Sequence, residues 1–355
     1  MLTRREFGLA SASLLCGAVS RLKAAEAIAT RFQTRGVVLY PWDLSLADWP
    51  ERAARAGITT IGLHAARRLD LLIDFVRSDR GLDFLERCRN LHVQVEYELH
   101  AMGDLLSREL YYQDTDLFRV DETGQRSIDF NCCPSSTRAV EIIAEKAVEV
   151  SRVLTPTTGR YFYWPDDGRE WCHCSRCQEL SSSDQAALVE NAIVIALRRD
   201  VHPEATLCHI AYHHTITPPR KVQPHPGLFL EFAPIQRVYD RSIADPDVTL
   251  VHSSADPKTH AGYLSVLEEN LKVFGRASAQ ILEYWLDVSR FSAWTRPAKK
   301  LPWNPEVLAA DANQYAKLGI QHITSFATWI DDRYVVAHGE PPLDEYARIL
   351  KGDAT

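Results

Sequence analysis

"RYFYWPDDGREWCHCSRC", residues 160–177, decides how the rest of the chain is read. Its first five residues, Arg160–Trp164, hold four successive aromatic rings and are of strand length. Asp166, Asp167 and Gly168 then turn the chain, and this trio is good turn chemistry. Cys172, Cys174 and Cys177 follow at once. A strand that opens into a long loop crowded with reactive groups is the behaviour of a parallel barrel strand at its C-terminal end.

The same pattern recurs on both sides. Strand-like runs are "GVVLY" (36–40), "ITTIGLH" (58–64), "HVQVEYELH" (92–100), "ATLCHIAYHH" (205–214), "LFLEFAP" (228–234), "AQILEYWLD" (279–287) and "HITSFATWIDD" (322–332). Helical patterns lie between most of them: 46–57, 81–91, 137–154, 184–200, 260–275 and 304–319, with a last helix at 343–351. Links from helix to strand are short, whereas links leaving strand C-termini are long: 101–134, 165–183, 213–227, 234–258 and 287–303. Eight strands with that asymmetry predict an α/β fold, a (β/α)8 TIM barrel with its site on the C-terminal face. It is irregular after the fifth strand, where no helical pattern appears. A doubly wound open sheet would carry a Gly-rich turn after the first strand, and "YPWDLS" stands there instead.

The N-terminus reads differently. Arg4 and Arg5, an apolar stretch and Ala25-Glu26-Ala27 resemble a twin-arginine export signal over residues 1–27, leaving a single barrel domain at 28–355 and a periplasmic or extracellular protein. The 355 residues carry a formal net charge of -7, and the leader would remove four basic and two acidic groups. With no basic run, nucleic acid is excluded as a partner. No later apolar run is long enough to span a bilayer.

The strand ends are rich in carboxylates and aromatic rings. They offer Tyr40, Trp42, His64, Glu98, His100, Trp164, His213, His214, Trp285, Trp329 and Asp331 as sugar-binding candidates. Aromatic faces stack on the C–H faces of sugars, and carboxylates hydrogen-bond hydroxyls. Asp43, Tyr212 and Asp287 also fall at strand ends.

Glycosidic cleavage needs a group that protonates the leaving oxygen and another that meets the oxocarbenium-like centre. Asp167 is the candidate acid/base. Asp166 could orient a 2-acetamido group in a substrate-assisted scheme, or Glu283 or Glu231 could answer Asp167 across the barrel. A non-catalytic carbohydrate-binding barrel and a histidine-based metal-dependent hydrolase are the competing readings.

Cys172, Cys174 and Cys177 have the spacing of a tetrahedral zinc site, with Cys132 or Cys133 from "FNCCPSS" as fourth ligand. Disulfides are the alternative in an exported protein. No organic cofactor motif is visible.

The Asp-Gly-x-x-x-Cys-x-Cys-x-x-Cys element, with the upstream "NCCPSS", resembles the bacterial family named domain of unknown function 4838. That family is similar to barrel glycoside hydrolases of the alpha-glucuronidase and beta-hexosaminidase kind. The resemblance implies a glycosidase-like barrel with the acidic motif at its site. The Asp166–Asp167 pair is also similar to the adjacent aspartates of O-GlcNAc-removing hexosaminidases.

Overall fold

The computed structural model describes residues 31–250 and 256–353. The leader read at residues 1–27 lies outside the described residues. The strands are β1 (Thr34–Leu39), β2 (Thr60–Ala65), β3 (Gln94–His100), β4 (Arg160–Trp164), β5 (Thr206–Ala211), β6 (Leu228–Phe232), β7 (Gln280–Glu283) and β8 (His322–Phe326). All pair in parallel with their sequence neighbours, and β1 closes on β8. The register runs from Gly36 opposite Thr60 to Gly36 opposite Thr324.

Side chains alternate across each strand, and here one parity fills the barrel while the other meets the helices. Val38, Phe162, Trp164, Cys208, Ile210, Phe229, Leu282 and Phe326 form one cluster inside the barrel. Val37, Leu39, Ile61, Tyr163, Leu230, Ile281 and Ile323 belong to a second cluster with the surrounding helices. The inward row of β3 is unusual: Glu96 and Glu98 are buried, with His100 above them. Glycine on β2 makes room, since a Cβ at Gly62 would sit 2.8 Å from Glu98 Oε1.

The expected helices form, and Leu69–Arg77 and Asp332–His338 are among those that the sequence pattern did not single out. Ser136, Ser181, Thr259 and Asn304 cap helices through their side chains. The irregularity after β5 is present. Residues 216–227 run without a helix and are tied to the helix Ser182–Asp200 instead. Asp184 Oδ1 accepts the backbone N–H groups of Arg220, Lys221 and Val222 at 2.7–2.8 Å. Asn191 holds His225 and Gln223 further along. One carboxylate and one amide thus satisfy the backbone that a crossover helix would have satisfied internally.

Candidate active site

A pocket of about 250 Å³ opens at the C-terminal mouth of the barrel. Trp164, Ile210, Leu282 and Phe326 come from β4, β5, β7 and β8, and Tyr40, His64, His100, Tyr212 and Tyr284 join them around it. Trp42, Trp294 and Trp329 also line it, and Trp42 and Trp294 are 56% and 64% exposed. Tyr40 and Trp42 stack with centroids 4.1 Å apart, and Arg296 lies 4.2 Å over Trp329. Trp294 and Trp329 both have positive φ, 53° and 67°. That conformation is costly for a bulky residue and concentrates at working sites.

Two carboxylates reach this pocket, Asp167 after β4 and Asp287 after β7. Their fields overlap, for both act on the hydroxyls of Tyr40 and Tyr284. Their surroundings differ. The Asp167 side chain is 55% exposed and accepts the Tyr212 hydroxyl at 3.0 Å, with His100 Nε2 at 3.7 Å. Burial would raise its pKa, but His100 and the Tyr212 hydroxyl together outweigh that and hold it below the usual carboxylate value. His100 Nδ1 donates to the Pro165 carbonyl at 2.7 Å, which turns Nε2 toward Asp167, where it is a donor when the ring is protonated.

Asp287 is only 5% exposed. Its Oδ1 accepts Ser289 Oγ and Thr328 Oγ1 at 2.5 Å and the Arg290 N–H at 3.1 Å. Burial still dominates these donors and pushes its pKa up.

The structure parts Asp166 from its neighbour. Asp166 Oδ1 accepts the Gly103 N–H at 3.1 Å, and Oδ2 accepts Arg108 at 2.8 Å and the Asn131 N–H at 2.7 Å. It lies outside the main pocket and ties two loops together. Gly168 permits the turn, having φ of 59° and a Cβ position 3.2 Å from the His213 ring.

Glu283 and Glu231 do not line the pocket, which corrects the expectation for both. Glu283 is outward by parity and fully buried against the helices. It takes Arg237 at 3.1 Å and the Tyr315 hydroxyl at 2.5 Å. Arg237 also pairs with Asp311, which accepts the Trp285 indole at 2.9 Å, so Trp285 likewise faces away from the site. Glu231 lies inside the barrel beneath Trp164, accepting its indole N–H at 2.9 Å and Gln280 at 2.8 Å. Burial pushes both Glu283 and Glu231 up to about 7. Glu98 also lies outside the pocket, with both carboxylate oxygens lacking a hydrogen-bond partner among the described residues. Burial, then the nearby Glu231 and Glu96, raise its pKa well above the usual value.

Of the remaining expected residues, Tyr40, Trp42, His64, His100, Trp164 and Trp329 line the pocket. His213 instead backs Tyr212 and pairs with Asp256 at 2.6 Å. His214 lines a small adjoining cleft. Asp331 caps the helix Asp332–His338 and pairs with Arg296 at 2.7 Å. Asp43 is buried beneath the rim, where it accepts the N–H groups of Tyr40 and Trp329.

Of the pocket residues left uncommitted from sequence, Tyr212, Tyr284, Asp287, Ser289, Trp294 and Thr328 carry polar groups. Parity with Leu282 could have found Tyr284. Asp287 was legible as a strand-end residue but shares the parity of the outward Glu283, and a turn closed from Asp287 N to Tyr284 O re-aims the chain after β7.

Two groups of His, Cys, Asp and Glu among the described residues have metal-holding spacing, and neither includes a pocket histidine. Burial, with His100 nearby, pushes His64 down to about 3, and its Nδ1 lies 2.6 Å from the Glu98 carbonyl. These histidines pack the site's floor and walls against Trp164, Tyr40 and Phe326. The cysteine group is Cys133, Cys172, Cys174 and Cys177. Cys133 therefore replaces Cys132, which is buried in the main core.

The closed eight-stranded parallel barrel, with its pocket at the C-terminal mouth, is a (β/α)8 TIM barrel. The chain belongs to the family described as Domain of unknown function (DUF4838), whose model matches residues 73–259. No curated protein matches it. Among solved structures it is similar to Gan42B, a GH42 beta-galactosidase from G. stearothermophilus, with TM-score 0.53 and 10% identity over 91% of this chain and 57% of that one. The beta-galactosidase of the psychrophilic Marinomonas ef1 gives 0.53 and 12% over 89% and 58%. That of Rahnella sp. R3 gives 0.52 and 11% over 90% and 56%. At these identities the likeness is one of fold, and the chain spans under three fifths of each of these proteins. No described helix is long and apolar enough to cross a membrane.

Proposed function

We propose that the protein hydrolyses a glycosidic bond, with Asp287 as the general acid and Asp167 as the ionised carboxylate facing the anomeric carbon. One observation carries this reading: two carboxylates with oppositely shifted proton affinities share one aromatic-lined pocket at the barrel mouth. Asp287 gives its proton to the glycosidic oxygen as the bond to the anomeric carbon breaks. Asp167 meets the positive charge that develops there. Water then supplies hydroxide to that carbon and a proton to the acid. The roles reverse the sequence expectation, in which Asp167 was the acid.

The exposed indoles of Trp42 and Trp294 offer apolar faces to sugar rings. The acetamido-assisted scheme receives little support, since Asp166 has both oxygens engaged by the protein. Export through residues 1–27 belongs to the same reading and is tested by sequencing the N-terminus of the secreted chain.

The test is hydrolysis of a panel of fluorogenic glycosides of neutral, acetamido and acidic sugars, followed by Asp167→Asn and Asp287→Asn on the best substrate. Each variant is expected to lose about 10²–10⁴-fold in kcat/KM. Sugar binding with no hydrolysis across the panel would overturn the proposal and leave a binding barrel, and wild-type rates in both variants would overturn the assignment of Asp167 and Asp287.

A further inference from the structure

We propose that Cys133, Cys172, Cys174 and Cys177 hold one structural zinc ion that clamps the loop after β3 to the loop after β4 and thereby positions Asp166 and Asp167. The four sulfurs lie within 4.8 Å of one another, and Cys133 Sγ is 3.8 Å from Cys174 Sγ. A tetrahedral ion with Zn–S bonds of about 2.3 Å requires sulfurs roughly 3.8 Å apart. A disulfide would require about 2.05 Å, and all seven described cysteines are free.

The surroundings suit thiolates. The Val120 N–H points at Cys172 Sγ at 3.2 Å and the Cys174 N–H at 3.5 Å. Amide donors of this kind hold ligand sulfurs in place and disperse their charge. Four protein ligands leave no open position, so the ion would serve structure and not bind water for chemistry.

The link to the acidic turn is a short chain of contacts. Asn131, two residues before Cys133, has φ of 42° and is fully buried. Its side chain donates to the carbonyls of Glu170 at 2.7 Å and Arg169 at 3.3 Å, and accepts the Asp166 N–H at 2.9 Å. Its own N–H donates to Asp166 Oδ2. An ion fixing Cys133 against Cys172 would fix this amide, and with it the turn that aims Asp167.

The full chain, purified without added metal, is expected to carry one zinc per molecule, with an absorption-edge spectrum fitted by four sulfurs at about 2.3 Å. Replacement by Co²⁺ should give the visible bands of a tetrahedral tetrathiolate. Cys133→Ser should cut the zinc content to a small fraction of one, whereas Cys132→Ser should leave it at one. If Cys133→Ser fails to fold, the wild-type metal content and spectrum still decide. Zinc well below one per chain after growth in zinc-replete medium, a first shell of nitrogen or oxygen, or four cysteines titrating as two disulfides would overturn the proposal. None of these measurements depends on sugar hydrolysis.

Discussion

Asp166 and Asp167 share a peptide bond but no hydrogen-bond partner: Asp167 accepts Tyr212 at the pocket, while Asp166 is bound to Gly103, Arg108 and Asn131. The first therefore acts on the second through the loop. Asp166→Ala would leave Arg108 and two N–H groups without their acceptor. We expect kcat to fall about tenfold and the melting temperature to drop by a few °C, since each such loss costs roughly 1–3 kcal/mol. Steady-state kinetics across several sugars checks this. A loss confined to acetamido sugars would instead make Asp166 a substrate contact.

Glu283 is structural in this account. Glu283→Gln weakens its link to Arg237, but Asp311 still faces that guanidinium. The expected cost is about 2 kcal/mol, less than for an Arg stripped of every partner. Activity per folded molecule should stay within about twofold. Chemical denaturation and kinetics on the same preparation separate the two effects.

Stability should fall between pH 6.5 and 8. Asp43, Glu231 and Glu283 have folded-state values of about 7. Unfolded carboxyls release their protons near pH 4. The folded state thus binds more protons in between, so this contribution is full below about pH 4 and is lost as pH rises through 7. The buried histidines His64 and His322 are held neutral, at about 3 and 4, and add no slope once the unfolded histidines are also neutral. The loss over this window is roughly 2 kcal/mol, or a few °C of Tm, by thermal denaturation across pH.

The pH dependence of kcat/KM should be bell-shaped. Asp167 must be ionised, and its pKa lies below the usual value, so the acid limb falls at low pH. Asp287 must hold its proton, and its pKa lies above the usual value, so the alkaline limb moves upward. Asp287→Asn should flatten the alkaline limb, and an unchanged limb in that variant would assign it elsewhere.

Much of this was legible in the sequence, because strand composition and loop asymmetry follow from burial on both faces of a parallel sheet. All eight strands lie where the apolar runs place them. Asp167 and the rings of Tyr40, Trp42, Trp164 and Trp329 were legible as strand-end residues. Which parity of β7 faces inward was not, because Ile281, Leu282, Glu283, Tyr284 and Trp285 offer apolar groups on both faces. The interior already holds Glu96, Glu98 and Glu231 around the single Arg160, so a carboxylate on an inner strand could not be equated with an active-site group. Cys132 and Cys133 are adjacent, and only packing shows that Cys132 joins the core.

The division of labour between Asp287 and Asp167 is tested most directly by varying the leaving group. For a substrate found in the panel, kcat/KM is measured on a series of aryl glycosides from poor to good leaving groups, for wild type, Asp167→Asn and Asp287→Asn. A good leaving group departs without protonation, so Asp287→Asn should lose at least about a hundredfold on poor leaving groups and far less on good ones. Asp167→Asn should be crippled across the whole series. The opposite pattern would exchange the two roles, and wild-type rates in both variants would contradict the account.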